Sequence, residues 1–140
     1  MAKKKPRRST EPLKALVIVA CDGISRDPNT GKPTLYGLFD VIWAPKFPCR
    51  SASFSLYAKL SGTGKCPISI QLVNPDGQSE TLGQTEISIP PKARGDIQAD
   101  LVGVEFKKPG TYELLIRAGQ KVVGRTSFEV KRKVPTKRKK

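Results

Sequence analysis

The sequence predicts an all-β fold, a single antiparallel β-sandwich of about seven to eight strands lying between two basic tails. Three observations predict it. Apolar and polar residues alternate with a period of two, and no helical period is evident. Turn residues, chiefly glycine, proline, asparagine and aspartate, recur between the alternating runs. The positive charge is concentrated at the two ends, which leaves a nearly neutral middle with enough apolar residues for one core.

The charge distribution divides the 140 residues into three parts. Of the net charge of +14, residues 1–14 contribute +5 and residues 131–140 contribute +7, so the residues between them contribute only +2. Both ends contain proline and almost no apolar side chains, and such segments bury too little surface to offset the entropy of ordering. We therefore expect disordered tails at 1–13 and 131–140 and one folded domain at 14–130.

The first two predicted strands are Lys14–Cys21 and Leu35–Trp43. The first has apolar residues on both faces, which is typical of a central strand. In the second, the residues on one apolar face are Leu35, Phe39, Val41 and Trp43. We expect that face to pack on the core.

Two runs in the middle of the chain alternate most cleanly, and they predict strands at Ser53–Leu60 and Ile68–Leu72. The positions expected to face inward are Phe54, Leu56, Ala58, Leu60, Ile68, Ile70 and Leu72. The positions expected to face outward include Ser53, Ser55, Lys59, Ser69 and Gln71. Asn74–Gly77 ends the second strand with turn chemistry in which glycine supplies a positive φ.

Prolines and a glycine mark the ends of later strands. Glu86–Ile89 is stopped by Pro90-Pro91, because proline cannot continue a hydrogen-bonded ladder. Within Asp96–Phe106 the inward set changes from odd-numbered to even-numbered positions beside Gly103, as a β-bulge would produce. The inward residues are Ile97, Ala99 and Leu101 before the change, and Val102, Val104 and Phe106 after it.

The last two predicted strands are Thr111–Ala118 and Lys121–Val130. They flank Gly119-Gln120, a pair that suits a two-residue type II′ hairpin. Strands at this spacing favour an antiparallel sandwich, and a closed barrel is the alternative. The sandwich is preferred because the parity change and the double proline are typical of places where a chain changes sheets.

The run from Pro109 to Ile116 resembles the last hairpin of immunoglobulin-like and fibronectin-like sandwiches. In many of those domains a Gly-x-Tyr sequence entering the penultimate strand forms a tyrosine corner, and Gly110-Thr111-Tyr112 matches it. The resemblance implies this part for Tyr112, and an ordinary buried tyrosine is the alternative. Leu114 stands where an antibody-type disulfide would have cysteine, so no such disulfide is implied.

A second resemblance covers roughly residues 14–130. The segments that carry it are Cys21-Asp22-Gly23, Leu35–Asp40, Ala44–Pro48 and Leu72–Gly77. They are similar to the opening and the hairpin of a family of small, stand-alone, uncharacterised bacterial domains. The resemblance implies a sandwich in a bacterial cytoplasm, and it brings no known activity.

The residue types exclude most catalytic and metal chemistry. The chain has no histidine, which removes Ser-His-Asp and Cys-His catalysis and most catalytic zinc sites. Cys21, Cys49 and Cys66 have no CxxC spacing, and an odd number of cysteines without a secretory signal indicates a reducing compartment. We therefore predict a cytoplasmic, non-enzymatic protein with no catalytic residue, metal, cofactor or transmembrane segment.

Two loops and three acids are the remaining candidates for a small site. Asp27–Lys32 lacks the EF-hand spacing and Gly62–Lys65 lacks the Walker spacing, so both are interpreted as turns. Asp22, Asp27 and Asp40 follow or interrupt strands, and by converging they would form a cation- or hydroxyl-binding site. We favour the interpretation that they cap turns through Asx hydrogen bonds.

The basic tails are the strongest functional signal. Lysine and arginine arms neutralise phosphates and release counterions, which gives sequence-independent affinity for nucleic acid. The residues expected to bind polyanions are Lys3, Lys4, Lys5, Arg7, Arg8, Lys131, Arg132, Lys133, Lys137, Arg138, Lys139 and Lys140. The alternatives are tails that only confer solubility, or that contact anionic lipid or acidic proteins. A competing class is a structural or protein-binding module that uses an edge strand or a loop such as Gly23–Pro33.

Overall fold

The computed structural model describes residues 12–133, which form eleven β-strands and no helix. The strands are β1 (Lys14–Arg26), β2 (Pro33–Leu38), β3 (Val41–Ala44), β4 (Cys49–Arg50), β5 (Phe54–Ser61), β6 (Gly64–Val73), β7 (Ser79–Ile89), β8 (Gly95–Leu101), β9 (Glu105–Phe106), β10 (Gly110–Ala118) and β11 (Lys121–Arg132). No helix in this part of the chain is long and apolar enough to cross a membrane.

Two large sheets form the sandwich. The first has the order β2-β1-β5-β8, the second has the order β3-β11-β10-β6-β7, and β4 pairs with β9 in a small separate ladder. Every pair is antiparallel except β3 and β11, which run parallel. The series β1-β5-β8 and β11-β10-β6-β7 corresponds to strands A-B-E and G-F-C-C′ of immunoglobulin domains. The predicted all-β sandwich is therefore confirmed.

Large and small side chains alternate across the core face of the first sheet. Leu56 lies between Ala20 and Ala99 on the neighbouring strands, whereas in the next row Ala58 lies between two isoleucines. All of the inward positions predicted in β5 and β6 are buried. This staggering lets the two sheets interdigitate at the density of a protein interior.

Tyr112 forms the predicted tyrosine corner. It is 1% exposed, and its hydroxyl donates a hydrogen bond to the backbone carbonyl of Lys108 at 2.6 Å. Its ring packs edge-on against Phe106, with centroids 4.9 Å apart, and stacks on Phe128 at 6.0 Å. Burial raises the pKa of the Tyr112 hydroxyl. The corner therefore ties the entrance of β10 to the aromatic part of the core.

The predicted turns are confirmed. Gly119 has a φ of 65° at the first position of the two-residue loop between β10 and β11. Gly77 has a φ of 91°, and its amide donates to the Asn74 carbonyl at 2.9 Å in the β6–β7 hairpin. β7 ends at Ile89, before Pro90, and the chain then crosses from the second sheet to the first.

The prediction of a single strand at Leu35–Trp43 is wrong. β2 lies in the first sheet and β3 lies in the second, so the chain changes sheets over Phe39-Asp40. Gly37 has a φ of 71°, which bends the backbone before the crossing. The apolar alternation runs through the crossing without a break because Phe39 packs against the core there.

The prediction of a β-bulge beside Gly103 is also wrong, because the chain leaves the first sheet at this point. β8 ends at Leu101, Gly103 has a φ of 64°, and β9 belongs to a different ladder. Val102 is 75% exposed and does not belong to the inward set, whereas Val104 and Phe106 are buried as predicted. The two breaks and the small ladder raise the strand count above the predicted seven or eight to eleven.

The folded domain extends beyond its predicted limits at both ends. Leu13 is 8% exposed and joins the core beside Gly62. β11 continues through Arg132, because β3 pairs alongside its last residues. Leu13 and the stretch Lys131–Arg132, which were assigned to disordered tails, are therefore part of the sandwich.

The distal part of the β1–β2 hairpin, residues 22–38, folds back over the outer face of the first sheet; we call it the arm. Arg26 in the arm donates to the Asp96 carboxylate at 3.1 Å and to the Gln98 side-chain oxygen at 3.2 Å, both on β8. Lys59 on β5 pairs with Val17 on β1 and with Asp96 on β8, so Asp96 is level with Val17 across the sheet. If β1 were straight, Val17 and Arg26 would be about 30 Å apart. β1 must therefore bend sharply between these points.

The arm places two outward-facing residues of β5 in a closed environment. Ser55 is 4% exposed and its hydroxyl donates to Asp100 at 2.8 Å. Tyr57 is 5% exposed and its hydroxyl donates to Asp96 at 3.1 Å. Ser55 points away from the core, as predicted, because it alternates with the core residue Leu56 along β5. The outer surface that it faces is nevertheless covered by the arm.

Candidate polyanion-binding edge

The edge strand β3 lies against the last residues of β11, where the C-terminal basic run begins. Trp43 is opposite Lys131, and Ala44 is opposite Arg132. The amide of Lys133 then donates to the Ala44 carbonyl at 2.6 Å, which extends the parallel pairing by one hydrogen bond. The first three residues of the basic run are thus held on the folded domain.

Trp43 faces out from this edge, beside a lysine. Val130 and Ala44, each 1% exposed, point into the core, so their neighbours along each strand point outward. Trp43 is 56% exposed, and the Lys131 ammonium lies 5.7 Å from the centroid of its ring. The same ammonium is 3.6 Å from the Glu129 carboxylate.

The prediction that Trp43 faces the core is wrong. Leu35 in β2 is odd-numbered, half-buried and not part of the core. In β3 the residues that face the core, Ile42 and Ala44, are even-numbered, because the chain changes sheets between the two strands. Tyr36 is likewise 55% exposed. The signal that was available is Gly37 and Asp40, two turn-forming residues inside an otherwise regular alternation.

The structure places a quarter of the predicted polyanion-binding residues. Lys131, Arg132 and Lys133 are all exposed. The other predicted residues lie outside the described part of the chain: Lys3, Lys4, Lys5, Arg7, Arg8, Lys137, Arg138, Lys139 and Lys140. The structure therefore describes the root of the C-terminal basic run and none of the N-terminal one.

This edge combines two kinds of contact that nucleic acids accept. An exposed indole offers a flat face on which a nucleobase stacks without regard to sequence. Adjacent ammonium and guanidinium groups neutralise phosphates, and a cation beside a tryptophan ring is itself attracted to that ring. Because Trp43 is on a strand, its position is fixed relative to the first basic residues of the run.

The three candidate acids do not gather. The Asp27 carboxylate accepts hydrogen bonds from the amides of Asn29 at 2.7 Å and Thr30 at 3.3 Å, which confirms the Asx turn. The Asp22 side chain lies against Gly37. Within residues 12–133 no group of three cysteine or acidic side chains is arranged to hold a metal ion.

The cysteine thiols are unpaired. Cys21 is fully buried and its thiol lies 3.4 Å from the Gly23 carbonyl, while Cys49 is half-buried. Burial raises the pKa of both thiols. A thiol with a raised pKa stays protonated near neutral pH and is a poor nucleophile.

The strand order and the tyrosine corner define the class of protein, an immunoglobulin-type β-sandwich domain. The chain belongs to a family of unknown function, DUF6941, which matches residues 16–131. This confirms the resemblance to an uncharacterised family of small domains. Comparison with curated proteins finds no match.

Solved structures resemble this chain at low sequence identity. The alkylpurine DNA glycosylase AlkC of Pseudomonas fluorescens, bound to DNA with an abasic site analogue, is 13% identical with a TM-score of 0.55 over 85% of this chain and 30% of its own. A β-glucosidase from Listeria innocua in complex with isofagomine is 8% identical with a TM-score of 0.52, over 86% and 16% of the respective chains. An immunoglobulin-like protein from Pseudomonas aeruginosa is 16% identical with a TM-score of 0.37, over 88% and 94%. This chain therefore spans less than a third of the first two proteins, and the likeness to them concerns the fold alone.

Proposed function

We propose that this chain is a non-enzymatic binding module that holds nucleic acid, or another polyanion, without sequence preference through its basic ends. The observation that carries the proposal is the exposed Trp43, fixed at a sheet edge beneath the Lys131 ammonium. Arg132 and Lys133 follow directly and are exposed. A stacking face and the start of a cationic run thus lie on one edge.

The charge distribution supports the same function. Residues 131–140 carry seven basic residues and no acid. Each phosphate that they neutralise on a single strand contributes about −0.7 to the slope of log affinity against log salt. Affinity of this kind is steeply salt-dependent and sequence-tolerant, with dissociation constants of about 10⁻⁴–10⁻⁶ M near physiological salt.

The chemistry of the side chains supports a binding role over a catalytic one. The chain has no histidine, and the raised pKa values of Cys21 and Cys49 disfavour thiolate catalysis. The cytoplasmic location, in a bacterial cell, stays part of this proposal on the strength of the odd cysteine count and the sequence resemblance.

The test is fluorescence anisotropy of the full chain with labelled oligonucleotides of about 20 nucleotides, single- and double-stranded, at several salt concentrations. Unrelated sequences should bind about equally. Trp43→Ala should weaken single-strand binding by about 5- to 150-fold, which corresponds to the loss of one base stack, and should leave the salt slope unchanged. Lys131→Ala should instead lower the slope by about 0.7.

Tyr36 provides a matched control, because it is an aromatic residue of nearly the same exposure, 55% against 56% for Trp43, on a different strand. Tyr36→Ala should leave affinity and slope unchanged. Equal losses of affinity for Tyr36→Ala and Trp43→Ala would show that the β3 edge has no specific role in binding. Absence of any binding at low salt would overturn the proposal in favour of tails that only confer solubility.

A further inference from the structure

Independently of the basic ends, the two large sheets leave an open cleft between their edge strands. β8 ends the first sheet and β7 ends the second. A cavity of about 420 Å³ lies between them. One end is closed, because Gly95 packs so tightly on β7 that a Cβ there would lie 3.0 Å from Ile89 and 3.1 Å from Ile87. The cleft is therefore a wedge that opens away from Gly95.

Consecutive residues line this cleft, namely Leu82–Ile87 of β7 and Asp96–Leu101 of β8. Successive side chains of a strand point to opposite faces of the sheet, so one face of a strand exposes only every second residue. A cleft lined by six consecutive residues must therefore run along the backbone edge of the strand. Such an edge presents N–H and C=O groups that no neighbouring strand within residues 12–133 uses. The available length is about 20 Å on each strand.

The cleft has an apolar floor and an acidic rim. Ile70 and Ile97, 3% and 6% exposed, belong to the floor. The rim includes Glu86, Asp96 and Asp100. Arg26 of the arm pairs with Asp96 at 3.1 Å, and the Lys65 ammonium lies 4.0 Å from Glu86. β7 and β8 together contain four acids and no base, although the whole chain has a net charge of +14. Among the described residues no cation pairs with Asp100, so unpaired negative charge remains beside the open edge of β8.

We propose that the β7–β8 cleft binds an extended segment of another protein, in which apolar and basic side chains alternate, as an added strand beside β8. Hydrogen bonds to the β8 edge would hold the segment. Its alternate side chains would point into the cleft, toward Ile70 and Ile97, or outward, toward Asp100. The alternation of the ligand follows from the two-residue period of any strand placed there.

The probe is a fluorescein-labelled heptapeptide in which lysine and valine alternate, titrated into the full chain and followed by anisotropy. Two control peptides are matched to it, one with glutamate in place of lysine and one with alternate backbone nitrogens methylated. Hydrogen exchange should show slowed amides in Asp96–Leu101 on binding. Equal binding of the methylated peptide, or no binding of the lysine peptide, would overturn the proposal.

Two protein variants test the site itself. Gly83→Phe should weaken binding at least tenfold, because a Cβ at Gly83 meets no atom within 4 Å and the ring would occupy the cleft. Ser79→Phe, on the same strand outside the lining, is its control. Asp100→Asn keeps an acceptor for the Ser55 hydroxyl and should weaken binding about two- to fivefold, the range of an exposed charge pair. Unchanged affinity in both Gly83→Phe and Asp100→Asn, or dimerisation through β8, would refute the assignment.

Discussion

Truncation of Leu56 to alanine tests the packing of the first sheet. Leu56 is fully buried, and its cross-strand neighbours on the core face are Ala20 and Ala99. Leu56→Ala would leave three alanines in one row, so the flanking strands have no large side chain that can lean into the space. Because the surrounding side chains can fill little of the cavity, the loss in the free energy of unfolding should lie in the upper part of the range for buried leucine, at about 4 kcal/mol.

The effect is measurable by urea denaturation of the full chain followed by circular dichroism. A loss of about 4 kcal/mol lowers the folding equilibrium constant nearly a thousandfold and moves the midpoint by about 2 M for an m-value of about 2 kcal/mol/M. Val102→Ala, at a position that is 75% exposed, should cost under about 0.5 kcal/mol. A cost below about 1 kcal/mol for Leu56→Ala would show that the row is not packed as described.

Three other outcomes are expected. Tyr112→Phe should cost about 0.5–1.5 kcal/mol by chemical denaturation, the net value of the corner hydrogen bond, and no loss would show that the corner is dispensable. Burial, and after it the Asp96 carboxylate, raises the pKa of the Tyr57 hydroxyl above 10.0. The contribution of this group to the free energy of unfolding should therefore be fully present below about pH 10 and should be lost as the pH rises further. The loss of stability at high pH should be smaller in Tyr57→Phe. A chain trimmed to residues 12–133 should show one cooperative melt near that of the full chain, whereas further removal of Leu13 should lower the melting temperature because its side chain joins the core.

The regular strands could be predicted from the sequence because local alternation and core burial agree in them. β5 and β6 follow the period of two, and every predicted inward residue is buried. Turns were equally predictable where glycine or proline was decisive, as at Gly119 and Pro90. Tyr112 was recognised from a motif whose hydrogen bond the structure contains.

Features that depend on long-range contacts could not be predicted. The alternation of Leu35–Trp43 hides a change of sheet, because Phe39 is apolar and stays in the core while it crosses. The exposure of Trp43 follows from that crossing and has no local signature. The burial of Ser55 depends on the arm, which is held by Arg26 on a strand about 70 residues away in sequence.

The path of β11 has a consequence for the reach of the molecule. Gly124 of β11 lies against Ala15 near the start of β1, and from there β11 continues for eight residues to Arg132. That stretch covers about 26 Å, so the first and the last residues that the structure describes lie toward opposite poles of the sandwich. The separation corresponds to about eight base pairs along a duplex, since each rises 3.4 Å. Under the proposed function a molecule with ends placed in this way would be bivalent: it would join two phosphate backbones, or two places on one backbone, and the second attachment would gain from effective concentration.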